Sequence, residues 1–201
     1  LGLVGSEMCI RDRCLQARDD GGFIRSNTYL YFTIISNLET VIIFSVFVVL
    51  RIVENIKGKQ IIPKPLFMLK FMITAAMTIT LTVAALLLAP LKDNVYLFSM
   101  KNLSLHIIAP ILAMIDFLMI DRGFEYKWKM TFLGFILPLL YLAMTLLISI
   151  KGVTYSNGTN FPYYFLNYRE YGWFNLHGMP GVAWWILIVA VTVSYTHLRA
   201  H

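Results

Sequence analysis

Long apolar runs separated by short polar ones dominate the chain. Charge-free or nearly charge-free stretches extend from Tyr29 to Leu50, Leu66 to Pro90, Leu103 to Ile120, Thr131 to Ile150 and Val182 to Val193. A helix that crosses a hydrocarbon core needs about 20 residues at roughly 1.5 Å rise each. The first four runs reach that length and the fifth falls short. The pattern therefore predicts an all-α, polytopic transmembrane helix bundle with four full spans and a truncated fifth. Composition agrees, with 58% of residues hydrophobic and only 14% charged, far from the balance of a soluble domain.

The short fifth run has an explanation in the chain ends. Glu7-Met8-Cys9-Ile10-Arg11-Asp12 can be encoded by GAG ATG TGT ATA AGA GAC, whose reverse complement encodes Val193-Ser194-Tyr195-Thr196-His197-Leu198. Both ends thus resemble a translated transposon-end sequencing adapter, to be set aside like any cloning scar. Residues 1–13 and 193–201 are then expected to be non-native and to pack poorly, leaving 14–192 as a helix bundle truncated at both ends. Cys14 is the one cysteine outside those ends, so no disulfide framework or cysteine-based metal site is indicated. His197 and His201 have the i,i+4 spacing of a metal pair but belong to the adapter-like end. Neither a metal nor another cofactor is expected.

Setting the ends aside lowers the net charge only from +6 to +5, and the basic residues that remain indicate orientation. Arg51, Lys57, Lys59 and Lys64 follow the first run, and Arg122, Lys127 and Lys129 follow the third. The other connections hold Lys92, Lys101, Lys151 and Arg169, so the margin is seven against four. The positive-inside rule places the richer set in the cytoplasm and starts the first span from outside. The basic balance reads as topology and lipid contact, with no implication of nucleic-acid binding. A bacterial inner membrane is the expected location.

Orientation brings two reactive side chains to one depth. Thr33 lies within a turn of the outer edge of the first span, behind the aromatic pair Tyr29 and Tyr31, expected as an interfacial anchor. His106 lies one turn into the third span from the same side. A hydroxyl beside an imidazole can form a nucleophile and base. Thr33, Ser36, Asn37 and Thr40 share a helical stripe at i, i+3, i+4 and i+7, whose competing reading is helix packing through small polar residues. Thr74, Thr78 and Thr82 form a second stripe, read as packing. His106 is harder to assign to packing, because an ionisable group within a span normally faces the bundle interior or a wet cavity. Asn37 and Asn102 are candidate supporting groups, by type, for stabilising an oxyanion or orienting the imidazole.

Other polar residues have weaker claims. Glu39 lies inside the first span, off the stripe, as a candidate interhelical or proton-handling group. Asp116 is ten residues beyond His106, about 15 Å along a helix, too far to pair with it, and is expected as an interfacial carboxylate. His177 falls in the aromatic connection Lys151 to Gly181 and reads as surface. That connection, with Phe161, Tyr163, Tyr164, Phe165, Tyr168, Tyr171, Trp173 and Phe174, either caps the site or rests on headgroups.

The run Tyr31-Phe32-Thr33-Ile34-Ile35-Ser36-Asn37, then Leu105-His106 with Pro110 and Asp116, then Phe161-Pro162-Tyr163-Tyr164-Phe165-Leu166-Asn167, resembles bacterial relatives of the androgen-induced-protein family of polytopic membrane proteins. Order and rough spacing agree over about Tyr29 to Tyr168. The resemblance implies six spans in an intact member, the first lost before Cys14 and the last cut at the C-terminal scar. Animal members are threonine hydrolases that cleave fatty acid esters of hydroxy fatty acids through an intramembrane Thr and His. By motif, these fall on Thr33 and His106. The Pro162 to Leu166 block carries no implied catalytic role, and Asn167 stands where an acidic residue is commoner.

The expectation is therefore an integral membrane protein acting as a lipid ester hydrolase, with membrane lipids as partners and a lipid ester as substrate. The alternative is a non-enzymatic lipid-binding or transport bundle in which the same residues line a cavity. No internal repeat of the transporter kind is visible in the visible spans.

Overall fold

The computed structural model describes residues 29–120, 127–155, 158–175 and 181–199. Among them there is no strand, and four helices are long and apolar enough to cross a membrane. These are α1 (Phe32–Lys57), α2 (Lys64–Leu91), α3 (Met100–Met119) and α4 (Trp128–Ile150). A further helix, α5 (Val182–Arg199), has a shorter apolar stretch. Residues 1–13, His177 and Arg122 lie outside the described residues.

Helix α2 is the hub. It packs against α1, α3, α4 and α5, and most of its apolar stretch is buried, whereas the other long helices present most of theirs outward. Its sequence allows this, because Thr74, Ala75, Ala76, Thr78 and Thr80 are small and all buried, which lets neighbouring backbones approach. Thr78 and Thr82 donate to the carbonyls of Thr74 and Thr78 at 2.8 Å, turning hydroxyls back onto their own helix. The second threonine stripe thus packs, as its spacing predicted.

The turn between α1 and α2 is closed by a single carboxylate. Helix α1 ends at Gly58, whose φ of 63° is the left-handed C-cap conformation that glycine adopts without steric cost. Glu54 then accepts the N–H groups of Ile61 and Ile62 at 2.7 and 2.8 Å, and Arg51 at 2.9 Å. Nearby, Lys70 of α2 is fully buried and ion-paired with Asp116 of α3, its ammonium 4.8 Å from the Phe44 ring and 4.5 Å from that of Phe47. Asp116 is accordingly half of an interhelical pair and no mere interfacial carboxylate. Lys70 sits within an apolar run and drew no attention in the sequence.

At α5 the structure corrects an expectation. Val193 and Thr196 are buried, and a side chain at Gly134 of α4 would meet Val193 Cγ1 at 2.7 Å. Poor packing over Val193 to Thr196 is therefore not observed, and the rest of the C-terminal expectation, 197–201, lies outside the residues whose burial is described. The cause is register: Trp185, Val189 and Val193 recur at i, i+4 and i+8 on the buried face. The adjacent Tyr195 is exposed.

Candidate functional site

Two interrupted helices shape the end of the bundle where α1 and α3 begin. In α2 a wide π turn, Ala84–Leu88, precedes Pro90, and in α3 a π turn, Ser104–Ile108, precedes Pro110. Proline offers no N–H and its ring crowds the carbonyl four residues back, so an extra residue in the preceding turn relieves both problems. In each case the residue before the proline donates five residues back, Ala89 to Ala84 and Ala109 to Ser104. Ladder carbonyls are thereby released, and each interruption has one in use. Tyr164 donates its hydroxyl to the Leu87 carbonyl at 2.8 Å, and Asn37 donates its amide to that of Leu105 at 3.1 Å.

His106 lies in the middle of the second π turn, and the geometry there brings it to Thr33. The Thr33 Oγ1 to His106 Nε2 distance is 3.1 Å, across a sequence separation of 73 residues. Thr33 is buried in the first turn of α1, where backbone N–H groups have no intrahelical acceptor. The Tyr163 hydroxyl approaches the same residue, 3.4 Å from Thr33 Oγ1. Burial pushes the Tyr163 phenol up to about 12. The phenol is protonated at any ordinary pH. Nδ1 of His106 is buried without a well-formed hydrogen bond, and the backbone of Asn102 approaches it from one turn earlier.

The asparagines serve this geometry as clamps. Asn37 spends both amide hydrogens on carbonyls, those of Thr33 at 2.7 Å and Leu105 at 3.1 Å, which ties α1 to the His106 turn. Asn102 donates to the Leu97 carbonyl at 2.9 Å, so its side chain fixes the start of α3 and the imidazole meets only its backbone. Ser36 bonds Thr80 of α2 at 3.1 Å and the Thr33 carbonyl at 3.2 Å, while Thr40 turns back onto the Ser36 carbonyl. Within the one stripe, Ser36 and Thr40 pack and Thr33 faces the histidine. Glu39 is half-buried in α1 and takes no part in this cluster.

The aromatic connection caps the site. Phe161, Phe165 and Leu166 are buried in the same core as α2, α4 and α5, whereas Phe174 is 82% exposed. Tyr31 packs edge-on against Tyr155 and Tyr163, with centroids 5.7 and 5.8 Å away, so it seats the cap and is no free interfacial anchor. Tyr163 also stacks on Phe165 at 5.1 Å. Beside Thr33 and His106 a cavity of about 570 Å³ opens, walled by Tyr31, Tyr163 and Tyr164 and by residues of α2 and α3. That volume is in the range of small-molecule pockets. Tyr163 was legible in the sequence only as one aromatic among many.

An α-helical bundle with four helices long enough to cross a membrane, and a cavity holding a threonine, a histidine and a tyrosine at one end, is the class of protein the fold and site define. No family model, curated protein or solved structure matches the chain.

Proposed function

We propose that the chain is a membrane-embedded lipid ester hydrolase, with Thr33 as nucleophile and His106 as its base. The observation that carries this is the 3.1 Å approach of Thr33 Oγ1 to His106 Nε2 in the wall of a large cavity. The resemblance to the androgen-induced-protein family, in which a Thr and a His fall at these positions, supports it. A threonine hydroxyl is a weak nucleophile until an adjacent base removes its proton. With the imidazole proton on Nδ1, towards the Asn102 backbone, Nε2 is free to accept it.

In the first step Thr33 Oγ1 bonds to the ester carbonyl carbon and its proton passes to His106 Nε2. The tetrahedral oxyanion collapses, expelling the alcohol, which takes the proton from His106, and an acyl-threonine remains. Water then gives a proton to His106 and attacks the acyl carbon. Collapse releases the fatty acid and returns the proton to Thr33. Tyr163 serves as an oxyanion donor: its hydroxyl lies 3.4 Å from Thr33 Oγ1, the atom that attacks, and its proton can turn to the reacting carbonyl oxygen as charge develops there. The site end of the bundle faces outward from a bacterial inner membrane, at the depth of lipid ester carbonyls.

Turnover of a fluorogenic long-chain acyl ester in detergent micelles tests the reading. Hydrolysis should disappear in Thr33→Ala and in His106→Ala, and the double variant should be no slower than either. Equal turnover in all of them removes the hydrolase reading. A second reading, lipid binding without chemistry, is favoured by the size of the cavity, and predicts retained lipid with no turnover in the unaltered chain.

A further inference from the structure

We propose that Lys92 and Lys101 hold the phosphate of a glycerophospholipid and thereby set its acyl ester against Thr33. The inference rests on the hydrolase reading and names the substrate class of that site. Both lysines line the cavity that contains Thr33 and His106, and among the described residues that line it none is acidic. Asp93, the nearest carboxylate in sequence, does not line the cavity and accepts the Tyr96 N–H at 2.8 Å. Lys92 lies with its ammonium 5.2 Å from the centroid of the Tyr96 ring, another residue of the cavity wall. The wall is therefore cationic with no internal counter-charge.

Two further features favour an anion at that mouth. Helices α1 and α3 both begin at this end, at Phe32 and Met100, and α2 ends there at Leu91, so two positive helix-dipole ends meet one negative end at the mouth. Both lysines are exposed and remain hydrated, so a strongly hydrated ammonium need not be buried to meet the ligand. Depth then selects the ligand. Lys101 precedes His106 by five residues, about 7.5 Å along a helix. A glycerophospholipid separates its phosphate from its ester carbonyls by the short glycerol unit, a comparable span. A phosphate held at Lys92 and Lys101 places an acyl carbonyl near Thr33 with the chain running on into the apolar layer.

Retention of defined lipids by the full chain in detergent, read by native mass spectrometry, tests this. Phosphatidylglycerol should be retained about thirty-fold over a diacylglycerol of the same chains, the scale expected of two lysines at a headgroup surface. Lys92→Gln with Lys101→Gln should remove that preference while unfolding at the same temperature, and each single change should remove part of it. Thr74→Ala, whose threonine packs within α2 and does not line the cavity, should leave the preference intact. Equal retention of the neutral lipid overturns the proposal, as does preference for a carboxylate-headed ester of similar length, or a preference that survives in the double variant. Phospholipid retained without hydrolysis would remove the hydrolase reading alone, and hydrolysis of neutral esters without phospholipid preference would remove this one alone.

Discussion

The side-chain amide of Asn37 donates to the backbone carbonyl of Leu105 at 3.1 Å, joining α1 to the residue beside His106. Its other hydrogen goes to the Thr33 carbonyl at 2.7 Å. One side chain thus ties together the two backbone segments that carry the reactive pair. The Leu105 carbonyl is available because Ala109 donates to Ser104 in the π turn before Pro110. Asn37→Leu should leave that carbonyl unsatisfied and cost about 1–3 kcal/mol of stability. Hydrolysis should fall further than the folded fraction does. Thermal unfolding in detergent, measured beside turnover, checks both, and unchanged turnover would show that the clamp does not position the site.

Tyr163 is placed to donate to an oxyanion. Tyr163→Phe keeps the ring stack on Phe165 and removes only the hydroxyl. Loss of one such donor typically costs 10²- to 10³-fold in turnover, so kcat should drop by about that factor with KM little changed. A variant that raises KM alone would make Tyr163 part of the binding wall only.

The same phenol has a pH signature. Its neutral form is favoured in the folded protein, with the ordinary value of 10.0 raised to about 12. The resulting stability is fully present below pH about 10 and is lost as pH rises through about 12. Tyr155 and Tyr164 shift the same way through burial, so the alkaline loss has several contributors. Thermal unfolding temperatures taken across that window should fall less steeply in Tyr163→Phe than in the unaltered chain, and identical slopes would count against the raised value.

Lys70, fully buried, pairs across helices with Asp116, whose side chain is 29% exposed. Breaking such a pair costs about 3–5 kcal/mol because a charge is left without its partner, whereas replacing both members is often neutral. Asp116→Leu, which strands the buried Lys70 ammonium, should therefore be strongly destabilising, and adding Lys70→Met should recover most of the loss. Expression level and unfolding temperature in detergent read this out. A double variant as unstable as the single one would mean that the pair contributes through packing against Phe44 and Phe47.

The spans and the pairing of Thr33 with His106 were legible because both follow from one-dimensional rules. Apolar run length gives the helices, and charge asymmetry with depth gives two side chains at one level. The cap was ambiguous, since an aromatic-rich connection reads equally as a lid or as a headgroup anchor until Phe165 and Leu166 are seen in the core. Tyr163 was hidden among equivalent aromatics, and its place beside Thr33 depends on how the cap folds over the start of α1. The π turns had a signal in Pro90 and Pro110, prolines inside apolar runs, though their pitch depends on tertiary partners such as Asn37 and Tyr164. Lys70 was masked by the apolar residues around it, and only the proximity of α3 supplies its counter-charge. Burial of Val193 escaped because reading the C-terminal stretch by its origin ignores its helical register.

The central claim is that Thr33 Oγ1 is the atom that attacks, activated by His106. Reaction of the full chain with a long-chain fluorophosphonate, followed by digestion and mass spectrometry, locates the modified atom directly. A phosphonyl adduct on the peptide containing Thr33 is predicted, absent in Thr33→Ala and in His106→Ala, and retained in Thr74→Ala, whose threonine packs within α2. An adduct on any other residue, or one on Thr33 that persists without His106, would contradict the account.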